Sequence, residues 1–385
     1  MRIGFDAKRA YHNGTGLGHY SRTLIRSLAG NFKSHDYYLF NPKPSEIFNF
    51  NDLQNVHEVL PQSLPAKIFS SAWRSSWVKK DLIKHQVDLY HGLSHEIPLG
   101  VQNTGIKSVV TMHDLIHERY PDQYNIVDVK IYQKKFHYAC VNSDKIIAIS
   151  QQTKRDLIEF YGAPQNKIEV CYQSCNPAFG IEVSAAEKER VRAFYKLPED
   201  FFLYVGSVIE RKNLLAICKA LFLLRHENTL PLVVIGDGGK YLQQVKDFIL
   251  QHGLLQKVIF LSHQNEAKRS QAFKSAADFP AIYQLATAMI YPSFFEGFGI
   301  PVLEALFSRL PVITSNVSCL PEAGGNAAYY VDPNKEEDIA EGMKRICTDA
   351  VLAEGMKEKG WQHAQCFTTD KCAAAVMEVY QKIMS

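Results

Sequence analysis

A chain of 385 residues is long enough for two domains, each with its own core. Its 46% hydrophobic and 22% charged residues are ordinary globular usage and exclude disorder, collagen-like repeats and a disulfide-stapled miniature. A net charge of +3 is too slight for a nucleic-acid binder, but it is uneven: residues 1–178 carry 21 basic and 16 acidic side chains, and residues 179–385 carry 22 and 24. The eight cysteines, at 140, 171, 175, 218, 319, 347, 366 and 372, show neither CxxC nor paired Cys/His spacing, so they read as buried thiols in a reducing compartment. Met1 leads straight into a strand-like segment without a basic-then-apolar leader, and no apolar run reaches the ~18 residues of a membrane span. The location expected is cytoplasmic.

Short runs rich in Val, Ile and Tyr alternate with segments of helical period, the pattern of an α/β protein built on parallel sheets. Strands are expected at 2–7, 36–41, 56–60, 87–91, 108–113, 145–150 and 167–172. After the first comes a turn containing Gly14, Gly16 and Gly18 that opens into a helix with apolar Leu24, Ile25 and Leu28. Glycine lets backbone N–H groups approach an anion there, and a helix start adds a positive dipole end, so phosphate binding is the natural inference. The spacing is not the dinucleotide fingerprint, which disfavours NAD. Between the third and fourth strands, residues 67–84 interleave Lys67, Phe69, Trp73, Arg74, Trp77, Lys79, Lys80 and Lys84. That pattern suits an interfacial helix on a membrane or an amphipathic helix packed on its own sheet. His113 ends the fifth strand beside Asp114. A helix at 151–161 has Ser150 as its N-cap and Gly162 with Pro164 as its stop.

The alternation loosens at 173–200 and then restarts, with strands expected at 201–205, 232–236, 258–261, 288–291, 311–314 and 328–331. We therefore read two Rossmann-like domains, 1–178 and 179–367, facing each other across a cleft. At the end of the second domain's first strand, Gly206 leads to Arg211, Lys212 and Asn213. Arg and Lys side by side at the carboxyl edge of a sheet suit a diphosphate, with Asn213 capping the next helix. After the strand at 288–291 comes Glu296-Gly297-Phe298-Gly299-Ile300-Pro301-Val302-Leu303-Glu304. Glu296 is expected at a strand-to-helix turn and Glu304 on the helix; at 1.5 Å per residue they stand about 10 Å apart on nearly one face, a separation that fits the two ends of a sugar nucleotide. In that reading Glu296 holds sugar hydroxyls, Glu304 holds ribose hydroxyls, and the N–H groups of Gly297 to Ile300 face the diphosphate.

The run from Glu296 to Glu304 resembles the E-x7-E signature of family 4 retaining glycosyltransferases of GT-B fold, and the stretch from Gly206 to Asn213 resembles their diphosphate-binding turn. Val234-Ile235-Gly236-Asp237-Gly238, Ser318-Cys319-Leu320-Pro321-Glu322, the segment from Gly325 to Pro333, Val110-Thr111-Met112-His113-Asp114 and Ile149-Ser150 with Thr153-Lys154 are also similar to the family. Ahead of Pro177, however, the chain reads Gln173-Ser174-Cys175-Asn176 where the family usually has Asn-Gly-Val-Asp.

The resemblance implies a nucleoside-diphosphate sugar held mainly by the second domain and an acceptor hydroxyl brought by the first. Glu296, Arg211, Lys212 and His113 are the implied catalytic set. Gly16, Gly18, Gly206, Gly297, Phe298, Gly299, Ile300 and Glu304 are the implied donor contacts. The last helix, 368–385, is implied to complete the first domain. No D-x-D run stands ready to hold a metal on the diphosphate, so transfer without a metal ion or other cofactor is expected. The activity implied is a retaining hexosyltransferase, with mannose from GDP-mannose as first choice, acting on a glycan or lipid-linked acceptor of surface polysaccharide synthesis. It would work at the inner face of the cytoplasmic membrane, with peripheral membrane contact and no nucleic acid. A sugar-nucleotide epimerase, a synthase on a small soluble acceptor and a non-catalytic sugar-nucleotide-binding subunit stand as alternatives.

Overall fold

The computed structural model describes residues 1–45, 48–227 and 229–385. Contacts divide the chain into two units, Met1–Cys175 with Phe367–Ser385, and Asn176–Cys366.

The first unit is built on seven parallel strands: β1 (Arg2–Asp6), β2 (Asp36–Phe40), β3 (Val56–Val59), β4 (Leu89–Gly92), β5 (Lys107–Met112), β6 (Lys145–Ala148) and β7 (Ile168–Val170). Their order across the sheet is β3-β2-β1-β4-β5-β6-β7. The second unit has six: β8 (Phe202–Val205), β9 (Leu232–Ile235), β10 (Val258–Phe260), β11 (Ala288–Tyr291), β12 (Val312–Ser315) and β13 (Tyr329–Val331), in the order β10-β9-β8-β11-β12-β13. Strands buried on both faces read as near-continuous apolar runs, and β9 and β11 are buried along their whole length. In each sheet the winding reverses once, between β1 and β4 and between β8 and β11. Such a switch point splays the connections on either side apart and leaves a crevice at the carboxyl ends of the two strands.

The helix Thr369–Met384 packs on the helix Gly16–Asn31 and on β5 and β6. It buries Ala373, Val376, Met377, Val379 and Tyr380 in the first unit's core. Tyr380 also bonds His91 at the centre of the sheet, its hydroxyl 2.6 Å from Nδ1.

Three local expectations change. The stretch 67–84 is not one helix: Leu64–Ile68 and Ser70–Ala72 are short α-helical pieces, Trp73–Trp77 is a π-helical turn, and Val78–Lys84 resumes the α-helix. The wide turn lets Trp73 enter the core, with its indole N–H on Asp81 at 2.6 Å, and aims Arg74 at Asp6. Glu296 lies in the strand-to-helix turn, as expected, ahead of the helix that carries Glu304. That helix spans Ile300–Phe307, so helical rise does not relate the two carboxylates. Of the cysteines, 140, 171, 175, 218 and 319 are buried, but Cys347 and Cys366 are exposed because they fall on the solvent side of surface helical segments.

Candidate active site

The β8/β11 switch point brings together the two motifs that lie about 85 residues apart in sequence. The connection after β8 carries Arg211 and Lys212, and the connection after β11 carries Glu296. Main-chain bonds lock the two connections, Phe294 N–H donating to the Arg211 carbonyl at 2.8 Å. The Ser293 hydroxyl also reaches the Arg211 carbonyl, at 3.1 Å.

Glu296 is 9% exposed. Its Oε2 lies 3.1 Å from Arg211 Nη1, and its Oε1 lies 3.5 Å from Lys212 Nζ. Oε1 also accepts the hydroxyls of Tyr291 at 2.8 Å and Ser293 at 2.9 Å. Burial pushes this carboxyl up, but the charges of Lys212 and Arg211 and the two hydroxyls outweigh it, and the group stays below its usual range. The main chain is pinned as well: the Ser318 hydroxyl accepts from Glu296 N–H at 3.1 Å, and the Cys319 thiol donates to the Glu296 carbonyl.

Arg211 is therefore not an open fork for a ligand. It is buried, with its guanidinium on Glu296 and on the Phe295 carbonyl, so the expected pair of exposed cations becomes one buried brace and one rim cation. Lys212 is that rim cation: its side chain runs over Gly206, where a Cβ would stand 3.1 Å from Nζ, and it ends on the Tyr291 hydroxyl at 2.6 Å. Asn213 does not cap the helix Leu214–Leu223 through its side chain. It adopts a left-handed conformation, and its amide ties the Pro292 and Pro333 carbonyls together at 3.2 and 2.8 Å.

Gly299 is the left-handed N-cap of the helix Ile300–Phe307, at φ 102°, with Pro301 in its first turn. Phe298 is buried, so its side chain faces the core. On the helix itself Glu304 accepts the Tyr283 hydroxyl at 2.7 Å. Burial pushes its carboxyl up to about 7, against the pull of Tyr283 and Lys212.

In the first unit, His113 follows β5 and is buried. Nε2 lies 2.9 Å from the Leu93 carbonyl, which can only accept, so the proton is on Nε2; Nδ1 accepts from Gln173 Nε2 at 2.7 Å. Both nitrogens are engaged, and burial pulls the ring down to about 4, so His113 is a fixed neutral group. Gln173 is thus the side chain that stands where the linker departs from the family pattern, and its partner is invisible without the fold. Gly16 and Gly18 lie inside the first turn of the helix Gly16–Asn31 rather than in a loop before it. Gly18 is required by packing, since a Cβ there would sit 1.7 Å from the Asn13 carbonyl oxygen. The N–H groups of Gly18 and His19 turn back to the Thr15 carbonyl, at 2.9 and 3.0 Å.

Among the described residues no group of three His, Cys, Asp or Glu side chains is placed to hold a metal ion, and no helix is long and apolar enough to cross a membrane. Tyr291, Ser293, Tyr283 and Gln173 are the site residues that sequence reasoning missed. Tyr291 and Ser293 stand beside a motif that was read, yet only the turn after β11 folds them back onto Glu296.

Two family models match the chain: Glycosyl transferases group 1 over residues 186–363 and Glycosyltransferase Family 4 over residues 14–179. O-antigen chain mannosyltransferase B of Escherichia coli is 26% identical, over 99% of this chain and 100% of that one. O-antigen chain mannosyltransferase RfbU of Salmonella typhimurium is 29% identical over 66% of this chain and 63% of its own. A glycosyltransferase from Rickettsia africae superposes with a TM-score of 0.74 at 19% identity, covering 100% of this chain and 98% of that one. With the two models spanning most of its length and the switch-point geometry in place, the chain belongs to the group 1 and family 4 glycosyltransferases, has the GT-B fold and resembles bacterial mannosyltransferases.

Proposed function

We propose that the chain is a retaining hexosyltransferase that takes mannose from GDP-mannose and adds it to a glycan or lipid-linked acceptor in surface polysaccharide synthesis. The observation that carries this reading is the buried carboxylate Glu296 held beside the rim cation Lys212 at the β8/β11 switch point. Lys212 supplies positive charge for a departing diphosphate, and the fixed Glu296 supplies an acceptor for hydroxyls of the sugar. Catalysis then comes from positioning and charge stabilisation rather than from a general acid. Glu304 receives the ribose hydroxyls, and His113, neutral and clamped, is a donor-positioning group. Transfer needs no metal ion in this scheme, since Lys212 provides the charge. The relatives named for O-antigen mannosyl transfer favour mannose.

The acceptor side has a second support. Leu64, Ile68, Phe69 and Trp77 are exposed around the π-helical turn, with Lys67, Lys80 and Lys84 exposed beside them. The helix Ile126–Asn142 adjoins this surface, since Tyr138 accepts from Gly100 N–H at 2.6 Å and Glu96 pairs with both Arg74 and Lys135. It adds exposed Ile126, Val127 and Ile131 with Lys130 and Lys134. Apolar protrusions ringed by lysine suit an anionic lipid surface.

A panel of nucleotide sugars with an oligosaccharide acceptor, read by product NMR, tests the whole reading: an α-linked product from GDP-α-mannose in the presence of EDTA is expected. A β-linked product removes retention, abolition by EDTA removes metal independence, and turnover confined to another donor removes mannose. Flotation with phosphatidylglycerol vesicles at low salt tests the lipid surface, and a chain that stays at the bottom of the gradient is left with a soluble acceptor.

A further inference from the structure

Lys212, partly buried, and Glu296 form an ion pair, but a loose one: Nζ and Oε1 stand 3.5 Å apart, longer than a charge-assisted hydrogen bond. The phenol of Tyr291 bridges the two from the side. Lys212 Nζ donates to its oxygen at 2.6 Å, and its own proton goes to Glu296 Oε1 at 2.8 Å, which makes a chain running one way from cation to anion. Tyr291 is fully buried at the carboxyl end of β11, and its ring lies 5.1 Å from the same ammonium, so the hydroxyl has little freedom to leave.

We infer that Tyr291 is a positioning residue that keeps Lys212 from collapsing onto Glu296 and so leaves the ammonium available to an incoming diphosphate. The inference rests on the reading of this site as the donor site. Its physical basis is that a buried ammonium and carboxylate close into a direct ion pair once nothing separates them, and each then neutralises the other. An ammonium spent on a carboxylate is a poor ligand for phosphate. With the phenol in place, Tyr291, Ser293 and Arg211 hold the carboxylate at shorter distances than Lys212 does, and Lys212 gives up a neutral hydroxyl and only a loose ion pair when it turns to an anion. The hydroxyl is thus a spacer of fixed polarity. It adds no group that touches the reacting atoms.

A double-mutant cycle separates this role from simple support of the fold. GDP and UDP are titrated calorimetrically into the full chain as wild type, Tyr291→Phe, Glu296→Gln and the double variant, with circular dichroism and thermal melting confirming that each folds. Tyr291→Phe is expected to weaken nucleotide binding ~5- to 10-fold in the wild-type background and less than about 2-fold when Glu296 is already glutamine, because the collapse needs the carboxylate charge. Equal losses in both backgrounds, or no loss in either, overturn the inference while leaving the donor-site reading intact. A wild-type chain that binds neither nucleotide overturns both. Should Tyr291→Phe melt early, the titrations are run well below its midpoint and the substitution is repeated beside Lys212→Gln: a spacer role makes the Tyr291 substitution silent once Lys212 is gone, and a persistent loss refutes it.

Discussion

Glu296 and Glu304 lie on one short stretch of chain and are driven in opposite directions, the first held ionised by cations and hydroxyls, the second pushed up to about 7 by burial. A carboxyl raised in the fold stabilises it fully below the unfolded value of 4.5, and that contribution is lost as pH rises through about 7. Glu304→Gln should therefore flatten the fall in melting temperature between pH 5 and 8, and thermal melts across that range check it. If Glu304 accepts ribose hydroxyls, nucleotide affinity of the wild type should rise between pH 6 and 8, and the Gln variant should show no such rise. Glu296→Ala should cut turnover by ~100-fold or more with a much smaller change in nucleotide affinity, because it removes a fixed acceptor needed at the transition state. Steady-state kinetics beside calorimetry read the two effects separately. The identity of these acids was legible in their spacing. Their environments were not, since Tyr291, Ser293 and Tyr283 are ordinary core residues until the turn after β11 and the helix Phe279–Leu285 bring their hydroxyls to the carboxylates.

The helix Ile300–Phe307 begins at a left-handed Gly299, where a Cβ would also meet Leu320 Cδ2 at 3.0 Å. Gly299→Ala should cost on the order of 1–3 kcal/mol and displace the helix start, read as a lower urea midpoint together with weakened nucleotide binding. On the other unit, the helix Thr369–Met384 gives the buried His91 its Nδ1 partner through Tyr380. Tyr380→Phe leaves that ring nitrogen unsatisfied, at a cost of about 1–3 kcal/mol in the denaturation midpoint of the first unit. Elements of this kind were legible to different degrees. All thirteen strands were found within a few residues because each reads as a short run rich in β-branched, aromatic or other apolar residues between helical segments, and the helix Gln151–Tyr161 was found with its Ser150 cap and Gly162 stop. The π-helical turn at Trp73–Trp77 was missed, since its period suits Trp73 in the core and Arg74 on Asp6, partners that only the sheet supplies.

At the scale of the whole chain, the first unit carries a set of histidines that are neutral in the fold: burial holds His91 down to about 3 and His113 to about 4. A histidine depressed in the fold stabilises it above the unfolded value of 6.5, and that stability is lost as pH falls toward the folded value. Acidification from pH 6.5 to 4 should therefore loosen the first unit ahead of the second, which hydrogen exchange resolved by peptide can follow; simultaneous loss of protection in both refutes it. The two units also differ in how the chain makes them. Asn176–Cys366 is one unbroken segment, whereas the first unit is finished only by Phe367–Ser385. During synthesis, then, the second unit has all its residues outside the ribosome before the first has its last helix, reversing the usual amino-to-carboxyl order of folding. Until Phe367–Ser385 has emerged, the apolar surface of Gly16–Asn31 and β5 that Val376, Met377 and Tyr380 will cover stays open to chaperones, and a released chain truncated after residue 366 should hold a folded second unit beside a protease-sensitive first.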